Sequence, residues 1–99
     1  MEATSQKVKS ALVIHPSDNV AVALTDLKKG EPCTVRSGED EYIITINDDI
    51  HFGHKFAISI IEENESALKY GEEIGKMSSP VQKGEWVHTH NMYCERGRK

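Results

Sequence analysis

Four times in this chain an apolar residue is followed three positions later by glycine or asparagine: Leu27 to Gly30, Ile50 to Gly53, Ile61 to Asn64 and Val81 to Gly84. Such a unit reads as one helical turn closed by a residue at positive φ. Glycine adopts that conformation freely, and asparagine tolerates it better than other side chains. Asp48, Asp49, Ser59 and Ser79 stand where capping side chains would precede such turns. Cys33, Phe56, Ala67 and Val87 are then the first inward residues of the strands that follow. A chain interrupted this often cannot form a long helix.

Between the turns lie short runs rich in β-branched and aromatic residues: "ALVIH", "NVAVAL", "CTVRS", "EYIITI", "KFAISI", "SALKYG" and "EWVHTH". Several alternate apolar with polar, the period of a strand with one buried face. "SGED" (residues 37–40) reads as a hairpin turn, and Gly71 and Gly75 frame "GEEIG" as another reversal. The four turn units are unevenly spaced, which excludes a solenoid. The expectation is a compact all-β domain of short strands joined by one-turn helices.

At 99 residues the chain has room for one modest core and little interior for a deep private site. We divide it into a flexible lead over residues 1–9, one domain over residues 10–93 and a basic tail over residues 94–99. The net charge of −4 argues against a nucleic-acid partner, which requires a basic face. No apolar run approaches membrane-spanning length, so no membrane association is expected. Cys33 and Cys94 lack CxxC spacing, which disfavours a thiolate zinc site. Two reduced thiols and no apolar leader give a cytoplasmic expectation.

Four stretches bear polar groups suited to chemistry. In "GEWVHTHN", a strand would send His88 and His90 from one face with β-carbons about 6–7 Å apart. Two imidazoles so placed can converge on one metal ion or one anion, or simply decorate an exposed strand. Asn91 would point the other way and fix the chain. In "GHKF", His54 and Lys55 follow a turn whose N–H groups, with the lysine, suit a carboxylate or phosphate. In "KYG", Lys69 is the functional candidate and Tyr70 a half-buried structural residue. In "HPSDN", Asp18 and Asn19 read as a structural Asx-type turn beside His15. His51 receives no role.

Taken in order, "IHPSDNVAVAL", "LKKGE", "DIHFGHKFAI", "KYGEEIG" and "GEWVHTHN" resemble the N-terminal domain of altronate and D-galactarate dehydratases. The same domain forms the small subunit of sulfolactate sulfo-lyase. The resemblance covers about residues 10–93 and implies a β-clip fold of the SAF (antifreeze-like) type. Asn64 departs from the glycine usual before "KYG", a change that positive φ tolerates.

The resemblance implies a hydroxy-acid lyase: β-elimination from a sugar acid gives a 2-keto acid. The chain would act as small subunit to a separate large catalytic subunit and be inactive alone. It implies catalytic roles for His54, His88 and His90, and substrate contacts from Lys55, Lys69 and Asn91. A divalent metal, iron or manganese, would sit on His88 and His90 or be held by the partner. A sugar-acid-binding or assembly module without chemistry, and a sulfolactate sulfo-lyase small subunit, are the alternatives. Ice binding is disfavoured by the 28% of charged residues.

Overall fold

The computed structural model describes residues 9–94, and the four turn units organise everything in it. The residues that close them all have positive φ: Gly30 at 93°, Gly53 at 86°, Asn64 at 69° and Gly84 at 88°. The expected helical turns are instead β-turns. The fourth residue of each donates its N–H to the carbonyl of the first, Glu31 to Lys28, His54 to His51, Glu65 to Glu62 and Glu85 to Gln82, at 2.9–3.1 Å. A positive φ at the third position forces this geometry and prevents helix propagation.

The units associate in pairs. Leu27 and Ile50 exchange backbone hydrogen bonds of 2.7 and 2.9 Å, and Ile61 and Val81 exchange bonds of 3.0 and 2.9 Å. All four apolar residues are buried. Within the first pair Asp26 accepts the N–H of Phe52 and Asp49 accepts that of Lys29, so each unit stabilises the other's turn. Asp49 thus serves the opposite unit rather than capping its own, and Asp48 accepts the N–H of Trp86.

Among the described residues nine short strands connect these turns: β1 (Ser10–Val13), β2 (Val20–Ala23), β3 (Pro32–Ser37), β4 (Asp40–Thr45), β5 (Lys55–Ala57), β6 (Ser66–Lys69), β7 (Glu72–Met77), β8 (Trp86–Val87) and β9 (Met92–Tyr93). Six form a sheet of order β4-β3-β1-β2-β5-β8 and three a sheet of order β6-β7-β9. The β1–β3 pair is parallel and the other strand pairs are antiparallel. This is the all-β SAF-type architecture expected, with no helix among the described residues.

Alternation on β2 and β5 divides the interior into two cores. Ala21 and Phe56 pair across the strands and face the first, with Leu27, Cys33, Val35, Ile44, Ile46 and Ile50. Val20 and Ala57 face the second, with Ile61, Ala67, Met77, Val81 and Val87. The expected re-entry residues Cys33, Phe56, Ala67 and Val87 are fully buried. Burial, and secondarily Glu31, raises the Cys33 thiol to about 11, so it is an inert packing group. Both cysteines are free.

Several local expectations are corrected. The reversal near "GEEIG" lies at Tyr70 and Gly71, whose φ values of 60° and 75° make a tight hairpin turn, while Gly75 sits inside β7 beside a bulge. Tyr70, expected half-buried, is 62% exposed on this turn. β9 was not anticipated. "SGED" does turn the β3–β4 hairpin, at Gly38 and Glu39. Residues 1–8 of the lead and 95–99 of the tail lie outside the described residues.

Glycine is not equally required at each turn. A Cβ on Gly84 would run into the carbonyl oxygen of Thr45, whereas one on Gly30 would meet nothing within 4 Å. Gly30→Ala should cost only the positive-φ strain, about 1–2 kcal/mol. Gly84→Ala should add overpacking of about 1–3 kcal/mol. Urea unfolding of both variants checks the ordering, and equal losses would contradict it.

Candidate functional site

Three of the four turns carry glutamate at their fourth position, and each returns its carboxylate to the turn's first N–H. Glu31 Oε1 accepts from Lys28, Glu65 Oε1 from Glu62 and Glu85 Oε1 from Gln82, at 2.8–2.9 Å. The second turn has His54 there. An imidazole replaces a repeated structural carboxylate, so the position is released from the turn's own hydrogen bonding and turned outward. Aligning the four turn units in the sequence exposes this substitution, a signal beyond the bare histidine.

Antiparallel pairing of β5 with β8 sets Lys55 opposite Val87 and Phe56 opposite Trp86. That register carries His54 to the start of the "WVHTHN" segment. His54 lies 5.1 Å from His88 and 5.7 Å from Trp86, measured between ring centroids. Trp86 stacks nearly parallel on His88 at 5.3 Å and meets His90 at 4.7 Å. His51, given no role by sequence, makes an edge contact with His54 at 5.9 Å. Trp86, also without a role until now, is the hub.

The expected strand through His88 and His90 is not present. β8 ends at Val87, and residues 88–91 form a turn in which Asn91 N–H donates to His88 O at 3.1 Å. Asn91 explains the break: its Oδ1 accepts the His88 N–H and its Nδ2 donates to Trp86 O. A side chain that offers the backbone these partners competes with continued pairing. The two imidazoles therefore converge through a turn around an indole, and the alternation argument for their common face does not apply.

Lysines complete the cluster. Lys55 is half-buried, and its pKa is lowered by desolvation and then by the charge of Lys69. Lys69 ends β6 with its ammonium 5.0 Å from the Tyr70 ring centroid. The His88 pKa is lowered by desolvation first, then by Lys55, His54 and His90. No carboxylate is among the groups that shift either residue. The fold thus gathers His54, Lys55, Lys69, His88 and His90 into one electropositive surface, with Asn91 shaping its turn. Asp18 and Asn19 bond backbone groups of residues 66–71, the segment that carries Lys69, contacts beyond the local Asx-type turn expected.

This cluster suits carboxylate binding, proton transfer and stabilisation of negative charge. Among the described residues no three histidine, cysteine or carboxylate groups stand together as a metal site. A cleft of about 590 Å³ lies elsewhere, lined by residues that include Leu12, Leu24, Thr34 and Arg36. No helix among the described residues is long and apolar enough to cross a membrane.

Residues 9–95 match the family model described as the altronate/galactarate dehydratase SAF domain. An altronate dehydratase of Bacillus subtilis is 44% identical over 85% of this chain, and one of Escherichia coli is 41% identical over 79%. The chain spans only 16% and 15% of those proteins' lengths. The protein named (2R)-sulfolactate sulfo-lyase subunit alpha from Paracoccus pantotrophus is 38% identical over 65% of this chain and 96% of its own length.

Proposed function

This chain belongs to the altronate/galactarate dehydratase SAF domain family, and from that premise we propose that it is the small subunit of a hydroxy-acid lyase. It supplies one wall of a site for β-elimination from a sugar acid to a 2-keto acid, and a separate large catalytic subunit supplies the rest. The observation that carries this reading is the convergence of His54, Lys55, Lys69, His88 and His90 on one electropositive surface.

Removing the proton α to a carboxylate develops negative charge on that carboxylate. Lys55 and Lys69 face this charge as cations that need no reorganisation during reaction. His88, held neutral by desolvation and the Lys55 charge, accepts the proton, and His90 as a protonated imidazole gives its proton to the departing hydroxyl, which leaves as water. Asn91 holds the turn and can reach substrate with its remaining amide capacity. Iron or manganese, by this reading, would be held by the large subunit, with His88 and His90 the residues of this chain able to contribute, and would supply polarisation of the carboxylate.

The test is to tag the chain, purify it from its source cells with whatever binds, and assay metal content and 2-keto acid formation from altronate and galactarate. Activity in the assembly and none in the isolated chain is expected. Equal turnover by the chain alone, or an assembly with no lyase activity, would overturn the reading. A sulfo-lyase reading is favoured by the sulfo-lyase subunit matched over 96% of its own length. Release of sulfite from sulfolactate by the same assembly would select it.

A further inference from the structure

We infer that Trp86 is a positioning residue that fixes the tautomer of His54, so that His54 presents an N–H donor to the substrate and leaves the base role to His88. The inference rests on the lyase reading for its catalytic meaning, but its structural content stands on this chain alone. Indole Nε1 carries a hydrogen and has no lone pair to offer, so it can only donate. It faces His54 Nδ1 at 3.3 Å. The nitrogen that accepts must be unprotonated, so the proton of neutral His54 resides on Nε2.

Trp86 is held well enough to impose this choice. Its backbone N–H donates to Asp48 Oδ2 at 2.9 Å, and its backbone carbonyl accepts from Asn91 Nδ2 at 2.8 Å. The backbone pairs with Phe56 of the first core. The ring is half-buried against that core and lies within 8° of parallel to His88. Packing against the first core and contacts with the rings of His54, His88 and His90 restrict the indole, and so the N–H direction is set by the fold. His54 in turn has no carboxylate to return to its own turn, unlike Glu31, Glu65 and Glu85.

The consequence is a division of labour between two imidazoles 5.1 Å apart. One exposes a hydrogen toward the leaving group or a carboxylate oxygen. The other is left with a free lone pair for the α proton. Without the indole N–H the two tautomers of His54 would mix, and part of the population would present a lone pair where a donor is needed.

The experiment begins with long-range ¹H–¹⁵N correlation on the histidine-labelled full chain under alkaline conditions, where every imidazole is neutral. His54 is expected to show Nδ1 as the unprotonated nitrogen and Nε2 as the protonated one. Dominant Nδ1 protonation in the native chain would overturn the inference without any variant. Trp86→Phe keeps the aromatic stack and removes the donor. Averaging of the two His54 nitrogen shifts is expected in it, with His15 unchanged as an internal reference; unchanged His54 shifts in a folded variant would overturn the lock.

In the assembly with the large subunit, Trp86→Phe should lower kcat about tenfold with little change in KM, the size of one lost orienting hydrogen bond. A correct tautomer with an unchanged kcat would overturn the positioning role. Absence of lyase activity in the native assembly would instead strike the lyase reading and leave the tautomer result standing.

Discussion

His88→Ala, assembled with the large subunit, is expected to lower kcat by about 10²–10⁴-fold, the usual contribution of a positioned general base. The chain should remain folded, because His88 is half-buried in a surface turn and contributes no side chain to either core. The same residue sets the pH dependence. Desolvation and then Lys55, His54 and His90 move its pKa below the ordinary 6.5, so it stays neutral at pH values where an unperturbed histidine is already protonated. The acid limb of kcat/KM should therefore fall below pH 6.5. Replacing Lys55 by Met removes one of these charges and should move that limb upward while also weakening carboxylate binding. An acid limb above the ordinary histidine value, or His88→Ala with native kcat, would remove His88 from the base role.

Asp18→Ala should produce the largest loss of stability of a single polar truncation, about 3–5 kcal/mol. Asp18 is 5% exposed and accepts three backbone N–H groups: His15 at 3.0 Å, Tyr70 at 3.0 Å and Gly71 at 2.8 Å. It therefore ties the loop after β1 to the hairpin turn between β6 and β7. Hydrogen bonds to a charged acceptor contribute more than neutral ones, and truncation leaves the three donors without their acceptor. Asp18→Asn is the control. Its amide keeps one oxygen but sets an N–H₂ against donors, so it should recover only part of the loss. Chemical denaturation of the three chains tests this, and a loss below about 1 kcal/mol for Asp18→Ala would show that solvent replaces the carboxylate.

The two effects separate what the chain does from what holds it. Asp18 and Asn19 stand close in sequence to His15 and look as polar as any active-site stretch, yet their partners are backbone groups of residues 66–71. Asp18 was legible as a turn residue because its bond to His15 is local. Its bonds to Tyr70 and Gly71 were not, since nothing near residue 18 encodes them. "GEWVHTHN" shows the converse. Two-residue spacing suggested a strand, but an asparagine three positions after His88 captured the backbone and ended it at Val87. The histidines still meet, for a reason that alternation does not contain.

The four turns, the positive φ at their closing residues, the all-β class and the buried re-entry residues were written in the amino-acid sequence itself. Each depends on the conformational preferences of a few consecutive residues, and those act wherever the chain is placed. Tertiary structure alone decided that Leu27 pairs with Ile50, that Lys55 lies opposite Val87, and that one indole gathers imidazoles from two separate segments. Such contacts depend on strand register between distant segments, which is set by how two whole cores pack, and no short stretch of sequence carries that information.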